Sequence, residues 1–526
     1  MDFAADAVAY YKRGKRVLKA AVEQSDRSRD VVNMSILLTV ALFVGIYLIA
    51  TTGIIAKDGV TFINYARQLD VAPVKTMVSE FQHPGYPWLI FTAHKVAGFL
   101  YESASILSWI YCGQIVALVF RLFAITVLYF IGKHLFGAGI SFWAILILIL
   151  LPKPAGYGSD VLSDWPHLCF LSAGLLLLLK GAANKRWWMF GFAGLAAGAG
   201  YLIRPECAQL VVLGCLWLGM QLFLPKHTMN TNEALLALSL LLVGFGVIAG
   251  PYMNLKGAVF PKKNVGQFAQ RPRQPQVKIN NTQAAQQVAH KLQFTPSTVA
   301  KAFGKLVGNI GETLMWFFVP ALILGMHKWF KTRKWHEPEK FFVIAIIVLN
   351  IPVMIWLYCK YGYMSARHTL PLLILPILYV PVGLQESAIW LRQRFSKKAE
   401  SSAAIKRSER FWFLVLFFIG FSICAPKLFR PIRMEKQGYR AAAKWLKANT
   451  NNKDVVAVPD KRISFYAQRR GLVYENENFP AGAEYIVKIL KKQNDGPTSV
   501  NTLGKLEYEF FDKNKRGIDV VIYRNL

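Results

Sequence analysis

MSILLTVALFVGIYLIATTGII, residues 34–55, passes without a single charge and organises everything around it. As an α-helix rising about 1.5 Å per residue, it is long enough to cross a hydrocarbon layer roughly 30 Å thick. Helix is the expected form, because an uncovered backbone in lipid has no water to bond with. The run is too long for the apolar part of a signal peptide and lacks a small-residue cleavage site, so it reads as a signal anchor. Before it, residues 1–33 form a polar, basic segment carrying Lys12, Arg13, Lys15, Arg16, Lys19, Arg27 and Arg29. After it comes a mixed segment, residues 56–105, too polar to span, with a helical pattern over Val60–Leu69 and Pro-rich turns. It is expected to fold against the membrane surface.

Runs of the same kind recur at 106–131, 140–152, 162–180, 188–203, 206–224, 234–253, 306–326, 341–358, 369–390 and 411–426. The fold class expected is therefore an α-helical polytopic membrane protein of about eleven transmembrane helices. The runs 140–152 and 188–203 are short and could break at Pro152 and Pro205. Composition agrees: 54% of residues are hydrophobic and only 17% charged, fewer charges than a soluble chain of this length carries. The net charge of +32 fits a membrane protein whose cytoplasmic loops hold Lys and Arg. No nucleic-acid fold signature accompanies it, so no nucleic-acid partner is expected. The six cysteines lie in or beside apolar runs without a CxxC pair and read as small buried hydrophobes.

With the N-terminus inside, the inner loops hold more Lys and Arg than the outer ones, which favours an N-in, C-out chain in the cytoplasmic (inner) membrane. One outer loop, residues 254–305, is basic with no Asp or Glu. It could attract anionic membrane lipids or cover an anionic lipid substrate. After Pro431 the apolar runs stop. Residues 431–526 alternate helical patterns (Gly438–Asn449, Ile463–Gln468) with strand patterns (Val455–Pro459, Ile518–Tyr523), as a small α/β lobe on the outer side would. Residues 34–430 are the transmembrane core.

Five polar segments fall on the outer face in this topology. They are Lys57-Asp58-Gly59 leading into Tyr65-Ala66, Phe81-Gln82-His83-Pro84-Gly85, Ser159-Asp160-Val161-Leu162-Ser163-Asp164-Trp165-Pro166, Ile203-Arg204-Pro205-Glu206, and Tyr363-Met364-Ser365-Ala366-Arg367-His368. Ionisable groups at a membrane interface are functional candidates by default. On the residues alone, Asp58 and Asp164 could each be a helix cap, Arg204 and Arg367 snorkelling anchors, Lys57 a headgroup contact, and His83 part of a turn.

In their order along the chain these segments resemble the GT-C superfamily, in particular its protein O-mannosyltransferase, aminoarabinose transferase and RgtA-like group. Asp58 with Tyr65-Ala66 matches the Asp after the first helix, although Gly59 stands where Glu is common. His83-Pro84-Gly85 matches a His-Pro-Pro turn. Ser163-Asp164 matches a Ser-acid-Pro helix start, with Pro166 displaced by one. Arg204-Pro205 matches Thr-Arg-Pro, Arg367-His368 an Arg-Tyr/His pair, and Gly438–Leu446 the soluble outer lobe. The resemblance implies a sugar donor on a polyprenyl phosphate and a hydroxyl acceptor on a glycan, lipid or protein. A hydroxyl is a poor nucleophile, so a carboxylate base helps, and Asp58 is the candidate. The leaving group is already an anion and needs cations, for which Lys57, His83, Arg204 and Arg367 are candidates. Asp164, or failing that Asp160, would orient the acceptor, and direct displacement would invert the anomeric centre. Some members use a divalent metal; Gly59 removes one carboxylate ligand and leaves the question open. No His pair shows metal-ligand spacing such as HExxH. Two other classes stay in competition: a transporter or flippase of a lipid-linked or small solute, which would show broken helices and a repeat, and an inactive assembly protein of the same fold. Arg121, inside the second run, could be a packing or a pathway residue.

Overall fold

The first helix, Phe3–Ala50, ends where Thr51 and Thr52 turn their hydroxyls back onto the Tyr47 and Leu48 carbonyls. The computed structural model describes residues 3–98, 105–223, 229–258, 294–332, 337–395, 401–475, 478–490, 504–511 and 518–525, with side chains from Asp26 onward. Most of the basic loop 254–305 lies outside the described residues.

Among these residues seven helices are long and apolar enough to span a bilayer: Asp26–Ala50, Ile106–Phe136, Asp164–Ala183, Pro205–Phe223, Thr231–Lys256, Pro338–Tyr361 and Ser402–Leu428. Ala138–Leu150 and Trp188–Ile203 are shorter apolar helices. Two further runs are bent pairs, so the eleven apolar runs are all helical but not all straight. The chain is a multi-pass helical membrane protein.

The run 306–326, expected as one span, is broken into Pro296–Thr313 and Phe318–Thr332, bent by 104°. Met315 and Trp316 sit at φ 55° and 57° in the break. The Trp316 ring folds back onto Gly311, where a Cβ would stand 2.6 Å from it. The run 369–390 bends by 57° between Ala366–Leu373 and Pro376–Phe395, where prolines remove backbone donors. The two short runs stop at their prolines as expected. Ala138–Leu150 gives way to a separate turn of helix, Pro152–Tyr157, and Arg204 before Pro205 is extended at φ −148°, ψ 132°.

The described part of the polar segment after the first helix is more ordered than a surface loop. It forms three helices, Lys57–Leu69, Pro73–Ser79 and Gly85–Gly98. The first buries Val60, Ile63, Ala66 and Leu69 in one stripe, so its polar first turn is left at the rim.

The lobe carries a five-stranded sheet in the order β2-β1-β3-β5-β4, with β1 Val455–Val458, β2 Arg470–Val473, β3 Tyr485–Leu490, β4 Lys505–Phe510 and β5 Asp519–Arg524. β1 pairs in parallel with β2 and β3, while β5 is antiparallel to β3 and β4. Helices Gln437–Asn449 and Lys461–Ala467 match the expected helical patterns. Ile54, past the end of the first helix, is 1% exposed and belongs to the lobe's own core with Leu446, Val458 and Ile522. Burying such a side chain is worth about 1.5–3 kcal/mol, so the lobe and the start of the polar segment are packed as one piece.

Candidate active site

Residues Gly53–Ala56 are not helical, and their main-chain groups find partners elsewhere. Gly53 donates to the Ile432 carbonyl at 2.9 Å, and Ile55 donates to the Tyr466 hydroxyl at 3.1 Å. Arg440, Arg433 and Arg462 donate to the carbonyls of Gly53, Ile54 and Ile55. Asp160, 1% exposed, closes the arrangement: its Oδ1 accepts from Ala56 N–H at 3.1 Å and Val161 N–H at 2.8 Å, and its Oδ2 pairs with Arg433. Every oxygen of Asp160 is engaged in holding the strap that delivers Asp58.

Asp58 lies in the first turn of its helix, yet the cap position is Ala56 and no side chain caps. The carboxylate turns away from the helix: Arg367 Nη2 donates to Asp58 Oδ2 at 2.6 Å. Gly59 packs directly on the Asp160 loop, where a Cβ would stand 2.9 Å from Val161 Cβ and 3.0 Å from its carbonyl oxygen. The Glu common in the superfamily has no room here.

Asp164 likewise starts a helix without capping it. Its Oδ1 accepts from Arg204 Nη2 at 2.9 Å, and Arg204 Nε donates to Ser163 Oγ at 2.9 Å. Its Oδ2 is buried without a hydrogen bond, 3.9 Å from Arg367 Nη1. Arg367 is aimed by a short turn, Ala366–Thr369, in which Ser365 Oγ accepts from the Arg367 N–H and His368 Nδ1 from the Ser365 N–H. Asp58, Arg367, Asp164 and Arg204 thus form an alternating row from four distant parts of the chain. Neither arginine snorkels; each is tied to a carboxylate.

The remaining candidates divide. Lys57 is exposed at the rim, its charge acting on Asp460 and Lys461. His83 is not brought into the row. Its ring stands edge-on to Tyr201 at 5.0 Å and against Tyr252 at 5.3 Å. Burial drives its pKa down to about 4, against a hydrogen bond to the Tyr201 backbone, so the ring is neutral at pH 7. Gly85 beside it fits against the Leu202 carbonyl, where a Cβ would approach to 2.7 Å. His83 therefore belongs to a turn that seats this loop on helix Trp188–Ile203. Arg121 is a packing residue: fully buried, it donates to the Ile149 carbonyl at 3.1 Å and lies 5.7 Å from the Trp165 ring.

One residue of the site went unread in the sequence. Lys461, on the lobe helix Lys461–Ala467, donates to Thr61 Oγ1 one turn after Asp58. Burial lowers its pKa, and Asp58 pulls the other way. Its only signal would have been a lysine directly after the Asp460 cap.

Asp58 has a pKa below the usual 3.8. Burial pushes it up, but the charge and hydrogen bond of Arg367, with Lys461 and Arg204 behind, outweigh that. The four-residue row holds two acidic and two basic side chains, and Lys57 and Lys461 lie near Asp58 with Asp460 beside them. Among the described residues no three His, Cys, Asp or Glu side chains converge as a metal site. Asp58 Oδ2 and Asp164 Oδ1 are each held by an arginine, and Gly59 contributes no ligand.

Residues 82–249 match the family described as dolichyl-phosphate-mannose-protein mannosyltransferase. No curated protein matches the sequence. Among solved structures, ArnT from Cupriavidus metallidurans bound to undecaprenyl phosphate is similar over 93% of this chain and 97% of its own, with a TM-score of 0.56 at 14% identity. The archaeal oligosaccharyltransferase AglB from Archaeoglobus fulgidus, in complex with an inhibitory peptide and a dolichol-phosphate, is similar over 87% of this chain and 69% of its own, with a TM-score of 0.55 at 11% identity. The chain shares the fold of these two structures, the fold that the resemblance of its motifs implied.

Proposed function

We propose that this protein transfers a sugar from a polyprenyl-phosphate donor to a hydroxyl of a glycan, lipid or protein on the outer face of the cytoplasmic membrane. The observation that carries the reading is the row Asp58–Arg367–Asp164–Arg204, assembled from far-apart segments at the lobe end of the helix bundle. The excess of Lys and Arg in the loops at the opposite end supports placing the row outside. The family match and the polyprenyl phosphates held by the similar structures support the donor class.

The acceptor oxygen attacks the anomeric carbon while the bond from that carbon to the phosphate oxygen breaks. The hydroxyl proton passes to the Asp58 carboxylate. The phosphate goes from a diester with one negative charge to a monoester approaching two, so cations already in place stabilise the transition state more than the ground state. Arg367 suits this task because its fork binds two oxygens. In the resting protein Arg367 holds Asp58 and keeps it a weak base. A donor phosphate that draws Arg367 away returns basicity to Asp58 when the substrate is present. Asp164 Oδ2, buried and without a hydrogen bond, offers an acceptor for a sugar hydroxyl. Lys57 and Lys461 face the incoming phosphate, and attack from the side opposite it inverts the anomeric centre. No step runs through a metal.

The test is the purified chain in lipid nanodiscs with a panel of polyprenyl-phosphate sugars, joined to mass spectrometry of envelope glycans from cells with and without the protein. The expected result is the loss of one defined sugar from cells and release of free polyprenyl phosphate in vitro. Unchanged glycans together with altered solute uptake would reject the proposal.

A further inference from the structure

At the end of the bundle away from Asp58, the structure forms a half-open cavity of about 710 Å³. It lies between the first helix, the turn into Ala138–Leu150, the end of Val380–Phe395 and the start of Ser402–Leu428. Its two halves differ in chemistry. Arg29, Lys406 and Arg410 stand exposed around one half. The carboxylate among them, Glu409, is paired with Arg392 at 3.4 Å. Among the described residues none of the three cations is paired with a carboxylate. Gly137, at φ 86°, caps Ala138–Leu150 without a side chain, so the positive end of that helix adds to the same half. Arg29 Nη2 lies 3.9 Å from where a Cβ of Gly139 would be.

The other half is apolar. Trp143 and Phe413 meet there with ring centroids 5.2 Å apart, and Leu414 lines the wall beside them. Leu414 is 38% exposed, and Phe411 and Phe418 on the same helical stripe are 60% and 57% exposed. On a spanning helix such a stripe faces lipid, so the apolar wall runs into the bilayer.

We propose that this cavity is a binding site for an anionic phospholipid. The headgroup phosphate sits among Arg29, Lys406 and Arg410, and the acyl chains follow Leu414 and Phe418. Three cations with no carboxylate partner among the described residues favour negative charge on the occupant. The apolar wall open to the bilayer selects a lipid over a soluble phosphate. The inference is independent of the transferase reading, since it involves none of the residues at the other end. Three cations at a membrane surface give on the order of a hundredfold preference over a zwitterionic lipid.

Native mass spectrometry of the full chain, titrated with phosphatidylglycerol or phosphatidylcholine, tests this. Wild type is expected to retain phosphatidylglycerol selectively, and millimolar inorganic phosphate is expected not to displace it. Arg29→Gln with Arg410→Gln should lower retention at least tenfold, and Lys406→Gln alone should lower it several-fold, which keeps the test open if the double variant folds poorly. Lys185→Gln with Arg186→Gln, exposed at the same end but outside the cavity, should retain it. Equal loss in that control, absence of selectivity in wild type, or displacement by inorganic phosphate would each overturn the proposal.

Discussion

Asp58→Asn separates two consequences of one carboxylate. In the resting protein Arg367 donates to Asp58 Oδ2 at 2.6 Å, while its other terminal nitrogen is 3.9 Å from Asp164 Oδ2. The Asp58 side chain is 45% exposed, so solvent screens the pair, and its net strength is about 1 kcal/mol rather than the several a dry interior would give. Asparagine keeps the shape and removes the charge. A donor phosphate then no longer competes with the Asp58 carboxylate for Arg367, and binding of polyprenyl phosphate should tighten about fivefold. The same change removes the proposed general base, which would cost about 10²–10⁴ in rate. The variant is thus expected to bind the lipid phosphate more tightly while transferring sugar a hundred- to ten-thousandfold more slowly. Affinity is read by displacement of a fluorescent polyprenyl phosphate, and rate by single-turnover transfer in the same nanodiscs. Weaker binding with undiminished transfer would refute both the competition for Arg367 and the role of Asp58 as base.

The pH profile follows from the same pair. As the proposed base, Asp58 acts only when ionised, and in the resting protein Arg367 holds its pKa below the ordinary carboxylate value, so the acid limb of kcat/KM should lie below that ordinary value. In Arg367→Gln burial remains and the main opposing charge is gone, so the acid limb should move upward. An unmoved limb would assign it to another group. The pair's contribution to stability has the same sign: complete above the unfolded carboxylate's pKa of about 3.9 and lost as pH falls through the lower folded value. Gly59→Ala drives a Cβ to 2.9 Å from Val161 and should cost about 1–3 kcal/mol in a denaturation assay, with Gly59→Glu worse and inactive. Asp160→Asn should lower stability by about 2 kcal/mol, because Arg433 loses a charge-assisted partner. Asp164→Asn should instead cut transfer with a smaller loss of stability; the reverse ranking would exchange the roles given to the two aspartates. Lys461→Met should raise KM for the donor several-fold with less change in kcat, and an unaffected KM would remove the lobe from the site.

Hydropathy and charge along the chain determine that this protein spans a membrane many times, roughly where each span lies, and which polar turns sit at the helix ends. Those properties are local: an uncharged run of some twenty residues must be helix in lipid wherever the rest of the chain goes. They also bring Asp58, Asp164, Arg204 and Arg367 forward, because an ion beside an apolar run carries a cost that needs a reason. Direction and pairing are not local. Hydropathy is blind to a change in axis, so the 104° break after Thr313 reads as one continuous run. Asp160 and Asp164 are near twins in sequence. Tertiary structure engages the first with the Ala56 N–H and Arg433 and leaves one oxygen of the second without a hydrogen bond. His83 sits in the same motif-bearing segment as Asp58, yet two tyrosines from other helices bury it away from the row. Lys461 follows Asp58 by some four hundred residues and reaches Thr61 only because the lobe core closes over Ile54. A charge acquires its role from what it touches, and those contacts span distances along the chain that no periodicity records.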